Sequence, residues 1–477
     1  MEVSRGGEIA DSTFNIKKCA NNIKKDKMKK IDVYITMTSA PHFPVGLSLD
    51  AFEEAIALLQ DDGRVNLFRS KEPIKEYTYR EEDGLDELKG RRMDLVILVQ
   101  GAFTWDNVML KILDNFGDVP VLLWALEELP FDSGLLERNS LCGTMMNAAT
   151  LKRIGRMIFY IYGNPEREDA RAKLDDIIAS VTAKKMVEGS IYGSIGSRPP
   201  GFYSSTFDER EVLKKFSIRT VHGELLEILD RYDNIDEGEV KKDVAEMMKL
   251  GEMELADRES NEKSSRLFLA IRQFIRENEI DYLGIKCWPE LMRRGLNTCM
   301  INGRLTDIGI MTGCENDFYG TLTMYIYHLL TGTSPWFADL IHIDRETKNL
   351  YLWHCGAAPG SLCSRDFTPK INKQYRGDDR GNTLEFPLKP GAVTVGRIIV
   401  TPENRHKIVA FRGEAIEPSY TLRGNWSEVV PEVEADILLE NLFELGTAHH
   451  YAVVYGDVVE RLKHFAKLIN IELVVIS

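Results

Sequence analysis

The stretch Asp94-Leu-Val-Ile-Leu-Val99, followed by Trp105 to Phe116 and by Val119-Pro-Val-Leu-Leu-Trp124, decides the fold class of this chain. Two short apolar runs flank a segment whose apolar residues have the spacing of an amphipathic helix. Upstream, Val33-Tyr-Ile-Thr-Met37 is a further predicted strand and Ser48 to Leu59 a further helix. Strands that alternate with helices of this length indicate βαβ units and a parallel sheet.

The rest of the chain divides into two further units. A long amphipathic helix, Arg167 to Val187, opens a second α/β unit, and beyond Gly332 the pattern changes to strands joined by turns. We therefore predict an α/β protein with two Rossmann-like parallel-sheet domains and a mostly antiparallel, β-rich C-terminal domain with helices. The predicted divisions are a polar N-terminal extension (1–30), an N-terminal α/β domain (31–165), a central α/β domain (166–331) and a C-terminal β-rich domain (332–477).

Two charged stretches are predicted to interrupt these elements. Glu252–Lys263 is expected to be exposed, with a helix beginning only at Lys263 and continuing to Asn278. The loop Gly377–Asn382 is predicted to separate two strands of the last unit, because it combines charged residues with glycine.

Composition excludes several classes of function. The 477 residues include 60 basic and 74 acidic side chains, for a net charge of -14. The sequence has no basic stripe interleaved with aromatic residues, so nucleic acid is not an expected partner. The chain lacks an apolar run long enough for a membrane span, and its lysine-rich N-terminus does not resemble a signal peptide. Seven scattered cysteines without a CxxC pair predict small buried thiols and a reducing, cytoplasmic location.

Carboxylates and imidazoles suggest a metal-dependent site. Glu315 lies just before the helical run Thr321–Leu330, where helix capping alone would account for one acidic residue. Asp339 lies in the apolar strand Pro335–Ile341, where a buried carboxylate is costly unless it is paired or ligated. The histidines that could complete such a site are His354 and the pair His449-His450. Because adjacent strand residues point to opposite faces, we expect only one member of the pair to reach it.

These residues resemble the L-fucose and L-arabinose isomerase superfamily. Cys314-Glu-Asn-Asp-Phe-Tyr-Gly320, with Phe337-Ala-Asp339 downstream, is similar to the stretch that supplies two metal-binding carboxylates in L-fucose isomerase. Gly446-Thr-Ala-His-His450 and Trp353-His-Cys-Gly356 are similar to the stretches that supply the metal-binding histidines of L-arabinose isomerase. The resemblance follows the domain order of the whole chain and is specific over residues 283–360 and 440–476. It identifies a divergent, fucose-isomerase-like member.

The resemblance implies a metal site and a reaction. The implied ligands are Glu315, Asp339, His354 and His450, and Glu315 and Asp339 are also the implied catalytic acid and base. Oxygen-rich ligands with imidazoles suit Mn²⁺ best, with Mg²⁺, Co²⁺ or Zn²⁺ as alternatives. The implied reaction is the interconversion of an aldose and its ketose through a cis-enediol, in which one carboxylate removes the C2 proton and a group on the other side returns it at C1.

The expected partner is a monosaccharide. Candidates are fucose, arabinose, other pentoses or deoxyhexoses, and sulfoquinovose, and an arginine such as Arg198 or Arg304 near the site would favour an anionic sugar. The resemblance also implies a homo-oligomer, a trimer or hexamer. Two other hypotheses remain: a non-catalytic sugar-binding protein that keeps the fold, and a metal-dependent lyase or epimerase that uses the same enediol.

Overall fold

The computed structural model describes residues 29–75, 85, 88, 90–375 and 381–477. The predicted N-terminal extension therefore lies almost wholly outside the described residues, as does most of the loop Gly377–Asn382. The α/β class is confirmed, with two parallel sheets followed by a mostly antiparallel one. Within the described ranges, none of the helices has the length and apolar character needed to cross a bilayer.

The first sheet has five parallel strands in the order β2-β1-β3-β4-β5. Every residue of its central strand is buried, because the sheet is covered on both faces, as the continuous apolar run predicts. The strands are β1 (Ile31–Thr38), β2 (Val65–Arg69), β3 (Leu95–Gln100), β4 (Val121–Ala125) and β5 (Ile158–Tyr162). The helices of this unit are α1 (Leu49–Gln60), α2 (Asp106–Leu113) and α3 (Ser140–Arg153).

The second sheet has four parallel strands in the order β10-β9-β6-β7. They are β6 (Ile191–Ile195), β7 (Arg219–Gly223), β9 (Tyr282–Ile285) and β10 (Met311–Cys314). The long helix α4 (Glu168–Val187) leads into this sheet, as predicted. The other helices are α5 (Glu209–Phe216), α6 (Leu225–Asp233), α7 (Glu237–Met247), α8 (Arg258–Glu277), α9 (Glu290–Arg293) and α10 (Cys299–Asp307).

The prediction for the start of α8 was wrong by about a turn and a half. The helix begins at Arg258, inside the stretch expected to be exposed, because Asp257 and Ser260 form a reciprocal capping box. Lys263 and Glu259 then form an ion pair one turn apart on the exposed face. The charged composition of this segment is thus that of the outer face of a helix.

The third sheet has ten strands in the order β19-β16-β15-β18-β11-β12-β17-β14-β13-β8. Its strands are β8 (Glu252–Met253), β11 (Trp336–Ile343), β12 (Leu350–His354), β13 (Lys370–Lys373), β14 (Asn382–Pro387), β15 (Gly391–Val400), β16 (His406–Ile416), β17 (Asn425–Pro431), β18 (His450–Tyr455) and β19 (Glu472–Ile476). The long strand β16 pairs with β19 through its first half and with β17 through its second half. Six strands therefore close into a ring, which the linear pattern of turns did not predict. The helices α12 (Ala435–Glu444) and α13 (Val459–Leu468) belong to this unit.

The helix α11 (Phe318–Thr331) joins the second and third sheets. Its residues Leu322, Tyr325 and Ile326 are buried in one hydrophobic core with Tyr282 of the second sheet and Val454 of the third. Since Glu315 lies in the short connection between β10 and α11, this packing fixes its position at the junction of the two sheets.

Candidate active site

A cavity of about 480 Å³ lies at this junction. Four predicted site residues contribute to its wall, which is formed by the end of β10, by β11 and β12, and by the start of β18. They are Glu315, Asp339, His354 and His450. The structure therefore brings together side chains that are separated by up to 135 positions along the sequence.

The turn that carries Glu315 has an unusual backbone. Glu315 and Asn316 both adopt left-handed conformations, with φ of 56° and 52°, which side chains other than glycine seldom adopt. Such strain persists only where surrounding contacts hold it. Here the buried amide of Asn316 accepts a hydrogen bond from the Tyr192 hydroxyl at 2.7 Å and donates to Ser194 Oγ at 2.9 Å. These contacts hold the turn so that the Glu315 side chain points into the cavity.

Asp317 is the residue that caps α11. Its carboxylate accepts a hydrogen bond from the backbone N–H of Gly320 at 3.0 Å, so capping explains Asp317 and does not account for Glu315. Asp317 also lies 3.4 Å from Arg397 in an ion pair that is almost completely buried. Burial alone would raise the pKa of Asp317, but the charge of Arg397 and the hydrogen bond from His450 hold that pKa far below its usual range.

His450 is oriented from two sides. Its Nδ1 lies 3.0 Å from Asp317 Oδ2, and its backbone carbonyl accepts a hydrogen bond from Arg397 at 2.7 Å. Its Nε2 therefore faces the cavity, where it lies 3.4 Å from Glu315 Oε2 and 3.4 Å from Asp339 Oδ1. A carboxylate that holds the second nitrogen of a histidine is a common support for metal-binding imidazoles.

Asp339 reaches the same point through strand register. In the antiparallel pair formed by β11 and β18, Asp339 lies directly opposite His450, so the two side chains share one face of the sheet. The Asp339 side chain remains 21 % exposed, through the cavity. The polar residue that was unexpected in an apolar strand is thus explained by its place opposite an imidazole.

The expectation that only one of the paired histidines reaches the site was wrong. His449 Nε2 lies 3.6 Å from Glu315 Oε2, alongside His450. Alternation across a strand does not apply because β18 begins only at His450, and His449 lies in the preceding bend. The interaction with Glu315 raises the pKa of His449. Burial alone would raise the pKa of Glu315, but the interactions of its carboxylate with His449 and His450 outweigh burial, so the pKa is lowered.

These groups form a candidate metal site. Ligand atoms of Glu315, His449 and His450 lie within 4.8 Å of one another, and Asp339 lies against the same imidazole. His354, the last residue of β12, is buried beside them with its ring centroid 6.1 Å from that of His450. Among the described residues, Glu315 Oε2 and Asp339 Oδ1 are buried and accept no hydrogen bond. Buried carboxylate oxygens without donors fit a cation.

Aromatic side chains line the mouth of the cavity. Trp288 donates a hydrogen bond to Glu315 Oε1 at 3.1 Å, and Phe202 packs edge-on against Trp288. Phe202 ends the Gly/Pro-rich loop Ser197–Phe202 that follows β6. Trp353 completes this wall. Trp288 carried no sequence signal, because its place in the cavity wall, three residues beyond β9, depends on how the two sheets pack.

The two arginines considered for an anionic sugar lie elsewhere. Arg304 forms a paired hydrogen bond with Asp243, at 2.7 and 3.0 Å, and stacks on Phe268. Arg198 lies over the ring of Tyr203. Neither residue lines the cavity.

Comparison with known proteins identifies the chemistry. No family model matches the chain. A sulfoquinovose isomerase of Alkalicoccus urumqiensis is 30 % identical over 395 residues, which cover 80 % of this chain and 86 % of the relative. A sulfoquinovose isomerase of Priestia megaterium is 29 % identical over 394 residues, 81 % of this chain and 86 % of the relative. One from a Clostridium species is 28 % identical over 358 residues, 74 % and 80 % of the two chains.

Relatives of a single activity over most of the chain define its class: it is an aldose–ketose isomerase, an enzyme of carbohydrate metabolism. More narrowly, the chain belongs to the sulfoquinovose isomerase family. The prediction of an isomerase is confirmed, and the alternative of a non-catalytic sugar-binding protein is not supported.

Proposed function

We propose that this protein interconverts sulfoquinovose and the corresponding ketose at a divalent cation bound in the cavity. The substrate is supported by the relatives, which are sulfoquinovose isomerases. The observation that carries the site is the convergence of Glu315 Oε2 and Asp339 Oδ1, two buried oxygens without hydrogen-bond donors among the described residues, on His450 Nε2. A buried carboxylate oxygen that accepts no hydrogen bond is costly, so a bound cation would account for the arrangement of these two oxygens.

The residues proposed to hold the cation are those of the original hypothesis: Glu315, Asp339, His354 and His450. His449 is added as a neighbour of Glu315 that can serve as a further ligand. Mixed carboxylate and imidazole ligands favour Mn²⁺, with Mg²⁺, Co²⁺ or Zn²⁺ as alternatives. When bound, the cation would act as a Lewis acid toward the sugar carbonyl.

Glu315 and Asp339 are the proposed acid–base pair. Each lies 3.4 Å from His450 Nε2, and the side chains of Glu315 and Asp339 reach the cavity with 17 % and 21 % of their surface exposed. The lowered pKa of Glu315 keeps it ionised at neutral pH, as removal of a carbon-bound proton requires. One carboxylate would take the proton from C2 and a protonated group would return it at C1. The aromatic wall formed by Phe202, Trp288 and Trp353 would keep water from the enediol.

We also infer that the chain is a member of the L-fucose and L-arabinose isomerase superfamily. It would have three domains, 31–165, 166–331 and 332–477, of which the first two are Rossmann-like. We further infer that it forms a homo-oligomer, a trimer or hexamer. An apolar surface beyond β4 supports self-association, since large side chains there are strongly exposed: Phe131 (68 %), Leu135 (63 %) and Met145 (66 %). Light scattering on the wild-type protein and on Phe131→Asp tests this inference. We expect the variant to form a smaller assembly than the wild-type protein. A monomeric molar mass for both proteins would contradict the inferred homo-oligomer.

The reaction is tested by proton NMR in D₂O. The protein is loaded with Mn²⁺, reacted with sulfoquinovose, and freed of paramagnetic metal before the spectrum is recorded. We expect a ketose that carries solvent deuterium at C1, and its loss in Glu315→Gln. A product other than the ketose would instead favour the lyase or epimerase hypothesis.

Glucose is the matched control sugar, because it carries a hydroxyl at C6 where sulfoquinovose carries a sulfonate. Conversion of sulfoquinovose alone supports the proposed substrate. If glucose, fucose or arabinose is converted and sulfoquinovose is not, the protein is still an aldose–ketose isomerase, but the proposal that sulfoquinovose is its substrate is contradicted.

A further inference from the structure

Four of the seven cysteines lie together beside the site. Cys287 follows β9, Cys299 begins α10, Cys314 ends β10 and Cys355 follows β12. All four line the same cavity. Along the sequence these four cysteines are scattered and give no motif, because they lie 12 to 68 positions apart.

The four thiols form two close pairs. Cys287 Sγ lies 3.3 Å from Cys314 Sγ, and Cys299 Sγ lies 3.3 Å from Cys355 Sγ. A disulfide needs an S–S distance of about 2.05 Å, so the two sulfur atoms of each pair would have to move about 1.3 Å closer together. Side-chain rotation with small backbone shifts can supply that movement.

The surroundings distinguish these thiols from ordinary buried cysteines. Three of them are at most 9 % exposed as residues, yet all four border an open cavity that a small molecule can enter. Cys355 Sγ lies 3.4 Å from His354 Nδ1, a neighbouring polar group that thiols in an apolar core lack. By contrast, Cys363 Sγ donates to the backbone carbonyls of Ser364 and Phe367, and Cys142 is exposed.

We propose that Cys287, Cys299, Cys314 and Cys355 form an oxidisable thiol site that reacts with small hydroperoxides and closes into the disulfides Cys287–Cys314 and Cys299–Cys355. In each pair one thiol attacks the peroxide, the O–O bond breaks, and a sulfenic acid and one molecule of water or alcohol form. The second thiol then displaces hydroxide from the sulfenic sulfur, giving the disulfide and a molecule of water. Two electrons pass from each thiol pair to one hydroperoxide.

Disulfide formation would displace the proposed metal-binding and catalytic residues. Cys314 directly precedes Glu315, and Cys355 directly follows His354. A displacement of about 1 Å exceeds the roughly 0.5 Å within which a functional site must be held. We therefore expect oxidation to switch the isomerase off and reduction to restore it. This consequence rests on the proposed function, whereas disulfide formation does not.

The test uses the full-length, reduced protein and hydrogen peroxide. Remaining thiols are alkylated, and disulfide-linked peptides are mapped by mass spectrometry. We expect the thiol count to fall from seven to three per chain, with the two proposed linkages present and reversed by dithiothreitol. Oxidation of exposed Cys142 with the four cluster thiols unchanged would overturn the proposal, and so would full retention of free thiols.

Two variants sharpen the result. Cys299→Ser should abolish the linkage to Cys355 and keep Cys287–Cys314, whereas Cys142→Ser should leave both linkages unchanged. Activity toward sulfoquinovose is measured on the same samples. If the two disulfides form and activity is unchanged, the thiol site is supported and its effect on catalysis is contradicted. If the protein is an active isomerase but forms neither disulfide, the proposed function stands and the thiol site is overturned.

Discussion

His450 Nδ1 lies 3.0 Å from Asp317 Oδ2, and both side chains are almost completely buried. This contact fixes which ring nitrogen of His450 carries the proton, because an ionised carboxylate only accepts hydrogen bonds. In the neutral imidazole the lone pair is then on Nε2, which lies 3.4 Å from both Glu315 Oε2 and Asp339 Oδ1. The residue that caps helix α11 therefore also orients the imidazole at the centre of the proposed site.

Asp317→Asn should weaken Mn²⁺ binding. An amide can donate to Nδ1 and so favour the wrong tautomer of His450, and loss of such a supporting carboxylate typically costs 10–100-fold, or about 1–3 kcal/mol, in metal affinity. Isothermal titration with Mn²⁺ measures the change. Asp208→Asn is the matched control, since Asp208 caps α5 through the backbone N–H groups of Arg210 and Glu211. Equal affinities for the two variants would contradict an orienting role for Asp317.

Arg397→Met should destabilise the fold strongly. The substitution leaves the Asp317 carboxylate buried without its cation, and breaking a buried pair from one side costs about 3–5 kcal/mol. Urea unfolding measures the loss. The double variant Arg397→Met/Asp317→Asn should recover part of it, because no uncompensated charge remains. Losses that simply add would show that the two side chains are not coupled.

Much of the fold could be predicted because burial leaves a local signal. The run from Leu95 to Val99 is apolar throughout and is buried throughout in a parallel sheet. The closure of the third sheet could not be predicted, since it depends on one long strand, β16, pairing with both β17 and β19. Register between distant strands leaves no trace in the local sequence.

The candidate site shows the same limit. Glu315, Asp339, His354 and His450 were identified from residue type and resemblance, and the structure brings them around one cavity. Asp317 was assigned no role in the site, although an acidic residue just before an apolar helical run is a sequence signal for a cap. Its second role, toward His450, becomes visible only when α11 packs against β18. The metal-ligand and catalytic assignments stay predictions.

Metal removal should lower thermal stability. A ligand that binds only the folded state at about 100 times its Kd adds about 2.7 kcal/mol to the free energy of unfolding. We therefore expect the Tm of the Mn²⁺-loaded protein to fall on chelation, and Asp339→Asn to show no such difference. Glu290→Gln is the control, because Glu290 pairs with Lys286 outside the cavity wall. If Asp339→Asn kept the full metal-dependent shift in Tm, Asp339 would not be a ligand.

The stability of the protein should depend on pH through Asp307. Burial raises the pKa of this carboxyl from 3.8 to about 6, against the hydrogen bond that it accepts from Ser361. Between these values the folded state binds more protons than the unfolded state, so the free energy of unfolding falls as pH rises. Asp307→Asn does not titrate. We expect its stability relative to wild type to increase by about 1–2 kcal/mol between pH 4 and 6.5, less than the full shift implies because the side chain is only half-buried.

Asp344→Asn provides a control of opposite sign. Backbone N–H groups of Thr347 and Glu346 lower the pKa of Asp344, so its contribution to stability is present at neutral pH and is lost as pH falls through that lowered value. Stability curves for both variants are measured by urea unfolding, and the pH range for Asp344→Asn is extended below 3.8, where the contribution of Asp344 is lost. Curves for Asp307→Asn and wild type that stay parallel from pH 4 to 6.5 would mean that Asp307 titrates in the folded protein as it does in the unfolded chain.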